Sequence, residues 1–311
     1  MTDPPIEEPQ YSHPELEPEP EKRLMHPILR LILYALAYMA VNFAVAVETV
    51  VVAAIIKLQA TNTLAHYSIA AVLMAPAVLF ITYLFVVYLD NRPFSTLGLN
   101  TKGSWAAEVA FGAILPVAII SLLFVITYCA KWIRITGTLF EQSPVSIAGV
   151  ILGTVVLMIA IAIGEEVVIR GYVLQTIESA YGKAAAVIIS SVIFSSLHFL
   201  NPGAGIISWI GVTSAGFVFA YAYLATRRLW LPIAMHFGWN FTLGPIYGFR
   251  VSGMSIPSWI EQYTTGPRWW LGGLFGPEAG VWVIVSLLLM TLGIWWFSKR
   301  FYRPENNTLQ P

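Results

Sequence analysis

Apolar residues run along this chain in long blocks, separated by short clusters of Pro, Gly and charged residues. A membrane-spanning helix needs about 20 mainly apolar residues. Eight blocks read as spans: 28–56, 67–89, 105–130, 147–177, 184–200, 205–225, 229–248 and 280–298. The first and fourth are long enough to tilt or protrude; the fifth is short. The pattern predicts an all-α, polytopic membrane helix bundle with about eight transmembrane helices and a polar cavity in its core. No internal repeat is evident. Residues 1–24, MTDPPIEEPQYSHPELEPEPEKRL, are dominated by Pro and Glu and predict a disordered tail, since such a composition buries no core. The basic start and apolar run of a signal peptide are missing from it. The expected plan is a tail over 1–24, a transmembrane domain over 25–300 and a short tail over 301–311.

Composition strengthens this picture. The 311 residues are 57% hydrophobic and 11% charged, against roughly 25% charged in soluble domains. Net charge is zero, so nothing points to nucleic acid. The single cysteine, Cys129, excludes an internal disulfide. Eleven Trp residues suit anchoring at membrane interfaces. With eight spans both termini share one side, which also holds most of the Lys and Arg. Positive charge favours the cytoplasm, so a multi-pass protein of the cell (plasma or inner) membrane with cytoplasmic termini is expected.

Several polar residues interrupt the apolar blocks. GEEVVIR, 164–170, lies in the fourth. A span over 147–177 is about 46 Å long, which puts Glu165 near its middle, where a charge costs about 2.5–3.5 kcal/mol. Glu166 and Arg170 are four apart, share a helix face and can pair. Glu165 is rotated about 100° away and needs a partner from another helix. His198 ends the fifth block, with Phe194 one turn earlier on the same face. The NPGAG that follows cannot continue a regular helix, and broken backbone is tolerated at membrane depth where it lines a cavity. His236 and Asn240 share a face of the seventh block. Glu48 and Glu108 read as structural or rim residues, Glu108 near a helix start where an anion is favoured. A carboxylate and an imidazole facing one water form a general base; a second His with an Asn amide can stabilise a tetrahedral oxyanion. Glu165, His198 and His236 are also a zinc-type donor set, although the helical H-E-x-x-H pattern is absent.

These residues resemble the CAAX-processing endoprotease and bacteriocin-immunity family of intramembrane proteases. That family carries E-E-x-x-x-R, F-x-x-x-H and H-x-x-x-[ND] on separate helices. Here they read Glu165-Glu166 to Arg170, Phe194 to His198, and His236 to Asn240, in the same order. The resemblance covers about 147–245, the expected catalytic core. GYVLQ after the arginine and the loop TTGPRWWLGGLFGPEAG, 264–280, also resemble the family's bacterial members. Ile169 stands where an aromatic is common. The resemblance implies a glutamate-dependent endopeptidase acting on a membrane-associated peptide or protein. Glu165 would be the base, His198 would help hold the water, and His236 and Asn240 would stabilise the oxyanion. Arg170 would brace Glu166, and Phe194 would pack beside the site. No cofactor would be required, with zinc as the alternative.

Two other classes compete. A non-catalytic scaffold or bacteriocin self-immunity protein would share the fold without needing all four polar groups. A proton-coupled transporter would use embedded Glu and His as a relay, but it would also be expected to show inverted repeats. One demand is geometric. Read literally, the fifth span leaves His198 far from the depth of Glu165, so this span must tilt or end early at NPGAG if the groups share a site. The Gly244-x-x-x-Gly248 pair is also compatible with close helix contact.

Overall fold

The computed structural model describes residues 25–59 and 62–302. The tails expected over 1–24 and beyond Tyr302 lie outside the described residues. Nine α-helices are described. They are α1 (Pro27–Ile55), α2 (Thr63–Leu84), α3 (Trp105–Cys129), α4 (Pro144–Glu166), α5 (Gln175–Ser196), α6 (Ile206–Thr226), α7 (Trp230–Phe241), the short α8 (Arg268–Leu271) and α9 (Val281–Phe301). Three π-helical stretches extend them: Phe85–Leu89 after α2, Val167–Leu174 between α4 and α5, and Thr242–Ile246 after α7.

The expected apolar blocks carry helix. Among the described residues six continuous stretches are long and apolar enough to cross a membrane, and the protein is a multi-pass helical bundle. The count differs from eight for two reasons. The fourth and fifth blocks form one stretch, Pro144–Ser196, broken at Gly182, whose φ of 80° takes it out of the helical region. The seventh is short, because α7 has 12 residues before its π turn. Pro245 inside that turn lacks the N–H that a regular ladder would use. The start of α4 follows from local chemistry: Ser143 caps it by accepting from Ser146 N (3.3 Å), and Pro144 occupies its first turn.

Apolar side chains on the outer faces are exposed, as on Phe43, Val50 and Ile55 of α1 and Ile284, Leu288 and Leu292 of α9. Water would penalise that surface; lipid does not. Inside, α3 and α7 approach closely because both carry glycine at the contact. A Cβ on Gly112 would lie 2.9 Å from Leu231 O, and one on Gly238 would lie 2.6 Å from Ala113 O. Small residues that let backbones meet are the usual means of packing helices in lipid. Gly244 and Gly248 serve the chain's own loop instead, against Val251 and the Ile260 carbonyl.

Ion pairs fasten the end of the bundle that holds the start of α1 and the end of α9. Asp90 accepts from Arg30 and pairs with Arg92 (3.3 Å). Glu108 pairs with Arg228 (3.0 Å) and accepts from the Tyr302 hydroxyl. Arg227 grips Glu178 through two hydrogen bonds of 2.7 and 2.8 Å. Glu108 is therefore fully buried and joins three helix ends, rather than forming a rim; Glu48 is exposed on α1.

The opposite end carries an element the apolar pattern does not predict. Strands β1 (Ile133–Thr138) and β2 (Ile260–Thr264) pair antiparallel, with an irregularity between Ile135 and Gly137. The chain is mostly helical, as expected, with this two-stranded ribbon added to the bundle. Residues 249–256 and 272–280 fold beside this ribbon, where Gly253 N donates to Phe275 O (2.7 Å).

Candidate active site

The π stretch directly after Glu165-Glu166 makes all of Val167–Leu174 buried. Single π turns inside α-helices are rare and often occur at functional sites. The two adjacent carboxylates meet different surroundings. Glu166 is fully buried and accepts from Arg170 Nη1 (2.7 Å) and His236 Nδ1 (2.8 Å). The Arg170 guanidinium also donates to Gly216 O (3.2 Å) and lies between the rings of Phe194 (4.5 Å) and Phe219 (5.2 Å). The pairing expected from the four-residue spacing is present, and a histidine from α7 completes it.

Glu165 points elsewhere and is 30% exposed. Its Oε2 lies 3.9 Å from His198 Nε2 and 3.7 Å from His236 Nε2, and accepts no hydrogen bond from a described residue. Two imidazoles from other segments thus face this oxygen, neither within hydrogen-bond distance. His198 reaches it because α5 ends early, at Ser196, and the chain turns through 197–203. The fifth block is expected to tilt or end early if the groups share a site; α5 ends at Ser196, four residues before the end of that block. Leu200 at this turn is 96% exposed, while Asn201 donates to Ser252 O (2.9 Å) and Gly253 packs against Pro202.

Hydrogen-bond partners fix where the ring protons sit. His198 Nδ1 faces Phe194 O (2.9 Å), a carbonyl that can only accept. His198 therefore carries a proton on Nδ1, and its neutral form presents the Nε2 lone pair toward Glu165. His236 Nδ1 donates to the Glu166 carboxylate, and its ring stacks on Phe219 at 5.2 Å. Phe194 sits edge-on to both imidazoles, with centroids 5.0 and 6.1 Å away.

Glu165, Phe194, His198, His236 and Asn240 line one cavity of about 120 Å³. That volume holds a few waters. Glu166 and Arg170 lie behind its wall. Two further residues belong to the site's frame. Phe219 on α6 has no sequence signal, being an apolar residue in an apolar helix. Glu278, in the loop read as family-like, accepts from Trp239 Nε1 (3.0 Å), Ser252 Oγ (3.0 Å) and Ser252 N. It closes the cavity from the β-ribbon side. Glu165, His198 and His236 are donor types that suit zinc, but among the described residues no group of three or more His, Cys, Asp and Glu side chains is arranged to hold a metal ion.

The fold and cavity define a class: a polytopic helical membrane protein with carboxylate and imidazole groups gathered in its interior. Residues 147–242, about a third of the chain, match the family model "Type II CAAX prenyl endopeptidase Rce1-like", so this stretch is similar to the family that its motifs resemble. A Bacillus subtilis (strain 168) protein described as "Putative membrane peptidase YdiL" is 31% identical over 111 residues, which is 36% of this chain and 41% of that protein. The match thus spans less than half of the relative's length. No solved structure matches significantly.

Proposed function

We propose that this protein is an intramembrane endopeptidase that hydrolyses a peptide bond of a membrane-associated peptide or protein. One observation carries the reading: Glu165 Oε2 and His198 Nε2 lie 3.9 Å apart and face one cavity, and with the imidazole neutral both are hydrogen-bond acceptors. A single water has two O–H groups to give them, which leaves its oxygen lone pair free to attack a carbonyl. Glu165 takes the proton as attack proceeds and returns it to the leaving amine. His236 Nε2 is 3.7 Å from the same carboxylate. As an imidazolium it donates to the oxyanion, with the carboxylate of Glu166 at its other nitrogen; Asn240 adds an amide N–H. In this reading no metal is required, and both termini are cytoplasmic.

The test is Glu165→Gln in the full chain, purified and reconstituted with a library of membrane-associated peptides. Mass spectrometry of the products should show cleavage by the wild type. The variant should lose at least about 100-fold, the lower range for a general base, while its unfolding temperature stays near that of the wild type. Equal cleavage by a folded Glu165→Gln protein would refute the role.

A further inference from the structure

A second hollow lies on the membrane-facing wall between the first turns of α6 and α9. It measures about 620 Å³, within the roughly 300–1,000 Å³ range of small-molecule sites. Its sides are apolar and exposed: Ile206, Ile207 and Ile210 from α6, Val281 and Ile284 from α9. Gly203, Gly205, Gly211, Gly272 and Gly280 line it as well. At Gly211 a Cβ would lie 2.0 Å from the Glu278 carbonyl, so the helix sits directly on the 277–279 turn there. This contact walls the groove off from the Glu165 cavity, with which it shares Gly211, Glu278 and Val283.

One end of the groove is different. Arg268 and Trp269 of α8 line it, and both side chains are exposed. The carboxylate that also lines the groove, Glu278, is turned to Trp239 and Ser252. Among the described residues no carboxylate pairs with the Arg268 guanidinium. Helix α8 lies in the loop before the apolar run of α9, where a span meets the membrane surface, and Trp is favoured at that level. The groove is thus apolar along α6 and α9, with an uncompensated cation and an indole at the end formed by the loop before α9.

We propose that this groove binds a phospholipid with a net anionic headgroup, its acyl chain between α6 and α9 and its phosphate at Arg268. The charge decides the occupant. An apolar peptide segment would fill the trough and leave the guanidinium unmatched. A phospholipid satisfies both parts, and one basic residue near the surface favours an anionic lipid by about fivefold in affinity. The bound chain braces α9 against the part of α6 that backs Glu278, beside the Glu165 cavity. The inference does not depend on the proteolytic reading.

The experiment uses the purified full chain in mixed micelles of phosphatidylglycerol and phosphatidylcholine, with native mass spectrometry counting the lipids retained. The wild type should hold phosphatidylglycerol about fivefold over phosphatidylcholine. Arg268→Gln should retain the two equally. Ile210→Trp, which fills the trough without touching the charge, should lower retention of both. Each variant's unfolding temperature without lipid checks its fold. Equal retention of the two lipids by the wild type would overturn the proposal, as would an unchanged preference in Arg268→Gln. Displacement of phosphatidylglycerol by an apolar peptide with no headgroup preference would assign the groove to peptide instead.

Discussion

Glu165 and Glu166 are chemically identical and adjacent, and the bundle gives them opposite tasks. Glu166 is ion-paired and fully buried; Glu165 faces the cavity with an oxygen that no described residue hydrogen-bonds. Conservative substitutions should therefore separate stability from activity. Glu166→Gln leaves Arg170 buried without its counter-charge, and breaking a buried pair costs about 3–5 kcal/mol. Thermal unfolding in one detergent should show that loss for Glu166→Gln, and a change within about 1 kcal/mol for Glu165→Gln, whose carboxylate makes no such pair. Equal unfolding temperatures would mean that Glu166 does not hold the fold. The Glu166–Arg170 pair was legible because it is local, four residues apart on one helix. The Glu166–His236 bond was not, because it depends on how α4 and α7 are rotated against each other. Glu108, read as structural or rim, is structural, and the sequence could not choose between the two because its partners Arg228 and Tyr302 lie more than 100 residues away.

Helices are where the apolar pattern is most readable. Lipid requires each span to be long and apolar, so block edges and helix ends nearly coincide. The pattern is silent where packing or backbone hydrogen bonding decides. The π stretch after Glu166 leaves no mark in hydropathy, and the β-ribbon is two strands of six and five residues between much stronger apolar signals. Contacts between helices are written in small residues, which can be tested in pairs. Gly238 of α7 faces Ala113 O of α3, whereas Gly149 of α4 has nothing within 4 Å of its missing Cβ. Gly238→Leu must push α7 away from backbone that cannot yield, at about 1–3 kcal/mol as for other overpacking. Because α7 carries His236 and Asn240, peptide cleavage should fall with it. Gly149→Ala should be neutral or stabilise by up to about 1 kcal/mol through helix propensity. Unfolding temperatures that move together in the two variants would show that the α3–α7 contact is not tight.

For the whole molecule, the cavity's size sets the question. Its volume of about 120 Å³ suits water, while sites that enclose a ligand run from roughly 300 Å³ upward. A peptide therefore enters only if a wall gives way. The walls on α4, α6 and α7 are packed helices, with Glu166 and Arg170 buried behind them. Besides Phe194, Val283 and the turn that carries His198 and Asn201, the remaining wall is loop: Val251, Ser252, Met254 and Ile256, held by Glu278 through Ser252 and by Asn201 through the Ser252 carbonyl. Glu278 also holds Trp239, next to Asn240 on α7, so one carboxylate ties the loop wall to the helix that bears His236 and Asn240. Weakening that tie should expose the cavity. In a Cys129→Ser background, Met254→Cys should react slowly with a membrane-impermeant maleimide, since Met254 is only partly exposed. Adding Glu278→Gln, which keeps the shape but removes the charge that strengthens these hydrogen bonds by about 1 kcal/mol or more, should raise the labelling rate about fivefold, with the unfolding temperature monitored. An unchanged rate in a folded protein would mean that the loop is held by its packing against Pro202 and Phe275. The opening for a peptide would then have to be sought between the helices.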